Sequence, residues 1–179
     1  MIKQLIKLGE HFYNMSIGNE QEHDDIYNKV ALRDTVEKEI DLVQSCITRM
    51  AKNSFEIKKW TVGLIAVQAG ILHGKKADYF VLAWMLVITL VFWFLDGFFL
   101  KMEKLYRKKY EWIIEYRLNH DDYSCLYDLE PYNEKMFIPS PTWKKLKDKT
   151  IVDFMISKTI FPFYMVMIAL CIAVYMSIV

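Results

Sequence analysis

The chain has 179 residues with a formal net charge of +1; 54% are hydrophobic and 15% aromatic, yet mean hydropathy is only +0.10. The balanced charge gives no argument for nucleic acid, and no GxGxxG, P-loop, HExxH, GxSxG or CxxC spacing offers a phosphate cradle, a nucleophile with its base, or a thiolate metal site. The chain is therefore expected to be no enzyme and to carry no cofactor or metal, and its three cysteines (Cys46, Cys125, Cys171) read as free thiols in a reducing setting.

The modest mean conceals segregation, because apolar blocks alternate with charged ones. Residues 2–15 place Ile2, Leu5, Ile6, Phe12 and Met15 at near-helical spacing with Lys3, Lys7 and Glu10 between them. This predicts a short amphipathic helix, which either packs on a cytoplasmic domain or lies in a membrane interface. The stretch lacks the unbroken apolar core of a signal peptide. Residues 16–25 are polar and read as a loop. From Asp25 to about Asn53, Val30, Val36, Ile40, Val43, Ile47 and Met50 recur at three- and four-residue steps, with Asp24 or Asp25 as the expected N-cap. The near-heptad seam needs a partner, either the basic run after Leu100 or another subunit.

Residues 57–74 form a short apolar block, extended at its basic end by the stems of Lys58 and Lys59. Gly63, Ala66, Val67, Gly70 and Gly74 share one face that permits close helix approach, with Thr61 and Gln68 opposite. A tight turn at GKKAD leads into the longest apolar run, Tyr79 to Leu100, interrupted only by Thr89 and Asp96. Its length matches the ~20 residues that cross a hydrocarbon core. The same helix continues, basic and amphipathic, to Tyr110. Residues 120–150 hold three of the four prolines and read as a loop followed by a helix with Ser140 as N-cap and Pro141 at N1. Trp143 among lysines suggests a helix against headgroups. Ile160 to Val179 carries no charge and reads as a further span, with Ala169, Ala173 and Ser177 as a small-residue stripe.

The expected fold is thus all-α and integral to a membrane: three transmembrane helices per subunit plus cytoplasmic amphipathic helices. The parts are an N-terminal cytoplasmic region (1–56), a transmembrane hairpin (57–100), a cytoplasmic extension and loop (101–158) and a third transmembrane helix (159–179). Basic residues flank the spans at 49–59, 101–109 and 144–158, which places the N-terminus and 101–158 in the cytoplasm and the C-terminus outside.

Asp96 is the residue that demands a reason, since an Asp at the centre of a span costs ~2.5–3.5 kcal/mol on insertion scales, and less near the end. Either it faces the bundle and bonds a hydroxyl such as Ser157 or Thr159, or it forms a cation-attracting ring at the inner mouth of an oligomeric pore, with Thr61 and Gln68 as further pore or gate residues. Glu103 and Arg107 share its helical face, spaced four apart for pairing, and are expected to couple the gate to the cytoplasm. Three spans are too few to enclose a pore, so a channel requires a homo-oligomer. The triplets His23-Asp24-Asp25 and His120-Asp121-Asp122 could meet around a divalent ion, but helix capping and loop solvation account for them as well.

The run Asp96-Gly97-Phe98-Phe99-Leu100-Lys101-Met102-Glu103-Lys104-Leu105-Tyr106-Arg107-Lys108-Lys109-Tyr110 resembles the LDxxYLxxExxYRxxY-like exit of the second span in small bacterial membrane proteins of the RipA-type octameric class. Ser157-Lys158-Thr159 and Phe163-Tyr164 resemble the opening of that family's third span, while Phe99 stands where the family has Tyr. Related small effectors include SLATT-type proteins and the effector of the Hailong anti-phage system. The resemblance implies a bacterial inner-membrane effector in anti-phage defence. In such systems a partner nucleotidyltransferase makes a nucleotide or oligonucleotide signal that controls membrane permeability. For an anionic signal, Arg33, Lys38, Lys108 and Arg117, with Arg107 beside them, are the candidate ligand-binding residues. The alternative is a non-conducting membrane anchor or scaffold that recruits a soluble partner through the 25–53 helix and the 120–150 loop.

Overall fold

The computed structural model describes the backbone of residues 2–72, 79–117, 125–133 and 141–178, and the side chains of 30–70, 79–117, 125–133 and 142–177. Among these residues the regular secondary structure is all helical, with no strand. Helix α1 runs Ile2–Leu72, α2 Tyr79–Trp112, and a π-helical turn, Ile113–Arg117, follows α2 directly. Then come α3 (Pro141–Asp148), α4 (Ile151–Met155) and α5 (Phe161–Ile178).

The first finding departs from expectation. The loop at 16–25 and the N-cap at Asp24 or Asp25 are absent, because one 71-residue helix runs through both. The first proline of the chain is Pro131, so nothing in this stretch removes a backbone donor. Gly9 and Gly18 each cost only about 1 kcal/mol in a helix, and the polar residues of 16–25 are individually compatible with one. A polar stretch is ambiguous between loop and solvated helix, and helical continuity on both sides decides for helix.

The chain divides into two compact units, residues 1–41 and 42–179. In the first, Val36 and Glu39 are buried, while Arg33 and Glu37 form an exposed i,i+4 pair at 3.6 Å. The second unit is built on α2. Its backbone is approached by α3, α4, α5 and the π-helical turn. The portion of α1 in this unit buries Val43, Cys46, Thr61 and Ile65, with Ser54 and Lys58 half-buried between them, so a three-and-four spacing continues down one face.

Two apolar clusters hold the second unit. In one, Ile65 of α1, Met85 of α2 and Met167 and Cys171 of α5 pack together. In the other, Trp93 meets Ile160 and Tyr164, its ring stacked on Tyr164 at 5.7 Å. The indole N–H of Trp93 donates to the Met155 carbonyl at 3.0 Å, tying α2 to the end of α4. Gly97 permits that approach, since a Cβ there would sit 2.8 Å from Met155 Cγ and 3.3 Å from Ile151 Cγ2. Thr150 starts α4, its N–H and hydroxyl both donating to the Asp153 carboxylate. α3 begins at Pro141, the first-turn position that proline suits. The Trp143 ring is buried, and its indole N–H donates to the Pro131 carbonyl at 3.3 Å, so the tryptophan packs within the subunit.

Among the described residues, one helix is long and apolar enough to cross a membrane: the continuous helical stretch Tyr79–Arg117, of which α2 is the body. The apolar stretch Phe161–Ser177 is shorter. The apolar end of α1 is the continuation of a charged helix rather than a separate element.

Candidate functional site

The side chains that come together lie where α2 turns from apolar to basic, and Asp96 is their centre. It is fully buried. Ser54 of α1 donates its hydroxyl to Asp96 Oδ1, and Lys58 Nζ lies 2.6 Å from Oδ2 as a charge pair. Lys58 Nζ also donates to Ser54 Oγ at 2.8 Å, which closes a three-membered ring of polar contacts. Ser54 and Lys58 are four apart on α1, so one helical face presents both to the same carboxylate. On the other side, the Tyr164 hydroxyl of α5 lies beside the Asp96 carboxylate and the Thr61 hydroxyl, and donates to the Phe92 carbonyl at 3.2 Å. Thr61, itself buried, donates to the Ile57 carbonyl one turn back. Three helices thus meet at one buried anion and one cation, the lysine remaining 26% exposed.

Of the two readings of Asp96, the hydroxyls of Ser157 and Thr159 supply neither partner. They lie 3.3 Å from each other, and Ser157 Oγ accepts from the Ile160 N–H. Their place is taken by Ser54 and Lys58, 42 and 38 residues upstream of Asp96. Nothing in the sequence marks that pairing except the four-residue step between a hydroxyl and a lysine at an apolar edge.

The remaining candidates disperse. Gln68 is half-buried on α1, seven residues beyond Thr61. Glu103 and Arg107 pair with each other at 2.8 Å, as their spacing predicts. Lys108 pairs with Glu111 three residues on, and Arg33 and Lys38 are exposed in the first unit. Arg117 is fully buried. Its guanidinium lies 4.9 Å from the Trp112 ring centre and donates to the Cys125 carbonyl at 3.2 Å. Lys109 is buried as well and donates to the carbonyls of Asp128 and Glu130. The segment 125–133 therefore packs its carbonyls onto two cations of the long helix. Within it, Asp128 accepts from the Glu130 N–H at 2.8 Å and from the Asn133 side-chain amide. Burial alone would raise the Asp128 carboxyl, but these hydrogen bonds, with Lys109 and Arg117 nearby, hold it below its ordinary value.

The two His-Asp-Asp triplets lie outside the residues whose side chains are described. Among the described residues no group of His, Cys, Asp and Glu is arranged to hold a metal ion. No protein-family model, no curated protein and no solved structure matches this chain.

A second feature escaped the sequence reading. Between α1 and α2, further along the basic extension, an open groove of about 490 Å³ is lined by Gln44, Ile47 and Thr48 on one side and Arg107, Tyr110 and Glu111 on the other. Each trio has the i, i+3, i+4 spacing of one helical face. Gln44 Nε2 donates to the Tyr110 hydroxyl at 3.2 Å and bridges it.

Proposed function

We propose that this chain is a three-span membrane protein which assembles as a homo-oligomeric ion pore, gated from the cytoplasm by a nucleotide-type ligand. The observation that carries the membrane reading is the exposure of large apolar side chains along α2 and its neighbours. Trp60, Phe80, Trp84, Val91, Phe94 and Met176 are all exposed, and only 22% of the most apolar window of the Tyr79–Arg117 helix is buried. The core helix of a soluble domain would be mostly covered, and so extensive an apolar surface requires lipid or another chain. The spans are the apolar end of α1, the Tyr79–Leu100 part of α2, and α5, whose 18 residues reach about 27 Å.

Assembly is supported by the outward small face of α1. A Cβ at Gly63 or Gly70 would meet nothing within 4 Å, so another helix can approach closely there. In the gating scheme, the Lys58–Asp96 pair is the closed latch at the inner end of the spans, and separating it frees a carboxylate for a cation path. The nucleotide signal and the anti-phage setting come from the resemblance carried by residues 96–110, not from geometry. The complete enclosure of Asp96 within one subunit favours a second reading, a non-conducting anchor in which the pair only fastens α1 to α2.

The test is ion flux from liposomes containing the full chain, with and without Asp96→Asn, alongside its mass in detergent. An oligomeric multiple of 21.4 kDa with flux that changes in the variant is expected. A monomer without conductance under any ligand condition removes the pore and leaves the anchor.

A further inference from the structure

The groove between α1 and α2 is set out as a binding site, and its wall chemistry narrows what it accepts. It lies in the second unit, on the basic continuation of α2. Its volume, about 490 Å³, is within the ~300–1,000 Å³ typical of small-molecule sites. Arg107 is one wall. Its Nε and Nη2 both reach the same Glu103 oxygen, and 58% of its side chain is exposed, which leaves N–H groups available to an anion. Glu111, one turn along, is held by Lys108 through Oε2 alone, so its other oxygen remains an acceptor. Gln44 uses its amide N–H on Tyr110 and keeps its carbonyl oxygen, while Thr48 is exposed with its hydroxyl free to donate or accept. Ile47 and the Tyr110 ring supply the apolar surfaces.

We propose that this groove binds a nucleoside monophosphate whose base carries adjacent N–H donors. The phosphate pairs with Arg107, for which a charge-assisted hydrogen bond to an anionic oxygen is the strong contact available. The base lies against Ile47 and Tyr110 and donates from its ring N–H and exocyclic amine to the Glu111 carboxylate and the Gln44 carbonyl. A guanine-type edge satisfies the acceptors, whereas a base that presents only acceptors sets its lone pairs against the second carboxylate oxygen of Glu111 and the Gln44 carbonyl.

The groove also explains how occupancy would be felt elsewhere, a consequence that rests on the gated-pore reading. α1 and α2 are tied twice in this unit, by Gln44 with Tyr110 at the groove and by Lys58 with Asp96 at the apolar edge. The two ties are the same fourteen residues apart on each helix (44 to 58, and 110 to 96), about 21 Å along an antiparallel pair. A ligand that takes the place of the Gln44–Tyr110 bridge changes the spacing of the helices that hold the Asp96 latch.

The experiment is calorimetric titration of the full chain in detergent with GMP and, separately, with IMP, which lacks the exocyclic amine. GMP is expected to bind saturably, with IMP at least ten-fold weaker. Arg107→Gln and Glu111→Gln should each weaken GMP at least ten-fold while circular dichroism shows unchanged helix content. No binding of GMP, equal affinity for IMP, or affinity unchanged in either folded variant overturns the assignment. Binding without any effect on liposome flux removes the gated pore and keeps the groove, whereas flux in a chain that binds no GMP does the reverse.

Discussion

At the scale of single residues, the Asp96–Lys58 pair dominates, because its carboxylate has no access to solvent. Breaking a buried pair leaves one charge without compensation, which costs about 3–5 kcal/mol, and somewhat less here because Lys58 is partly exposed. Lys58→Met alone is expected to lower the thermal midpoint in detergent more than Lys58→Met combined with Asp96→Leu. A double-mutant cycle should return a coupling of about 0.5–3 kcal/mol, and additive effects would show that the pair does not interact in solution. Asp128 supports a pH prediction. Its folded carboxyl is held below the ordinary value of 3.8, so the unfolded chain binds the proton more readily. Its contribution is present above that value and fades as pH falls through the lower folded one. Wild type and Asp128→Asn, compared by thermal melts, should differ at neutral pH and begin to converge only as pH falls below the ordinary value of 3.8.

At the scale of elements, α2 is a single helix with three environments. Its apolar part is largely exposed, its middle is crossed closely by α4 at Gly97, and its basic part shares a groove with α1. Gly97 is the position where element packing is most sensitive. Gly97→Leu must displace Met155 and Ile151, and overpacking of this kind costs about 1–3 kcal/mol. The expected readout is a lower thermal midpoint and increased proteolysis between 133 and 160, whereas Gly63→Leu, which meets open space in one subunit, should leave the subunit's own helix content intact. The same Gly63→Leu change should reduce the mass in detergent if that face joins subunits. The π-helical turn at Ile113–Arg117 ends the helix with an i,i+5 stacking of Arg117 on Trp112, and so brings the guanidinium to the Cys125 carbonyl.

At the scale of the whole molecule, the apolar surface and the buried charge pair make different demands. Exposed tryptophans and phenylalanines on α1 and α2 suit the proposed membrane surrounding, while the Lys58–Asp96 pair keeps the one acidic residue of the 79–100 stretch paired within the subunit. The proposed membrane pore reconciles them only as an oligomer, because three helices leave no water-filled path of their own. Reconstitution therefore decides between pore and anchor, and mass in detergent precedes it.

What the sequence determined by itself was local: the apolar blocks, the basic continuation of α2, the Glu103–Arg107 pair four apart, the start of α3 at Pro141 and part of the seam of α1, where Val36 and Val43 are buried but Val30 is exposed. Each of these depends on residues within a turn or two of one another, where periodicity and spacing carry the physics. The 16–25 loop was misread for the complementary reason, since short polar stretches do not distinguish a loop from a solvated helix. Only the tertiary structure decided the partners of Asp96, the burial of Arg117 and Trp143, and the groove at Arg107 and Glu111. These depend on how α1 and the later helices meet α2, through long-range contacts such as Ile65 with Met85, Lys58 with Asp96 and Trp93 with Tyr164, rather than on any neighbour in sequence.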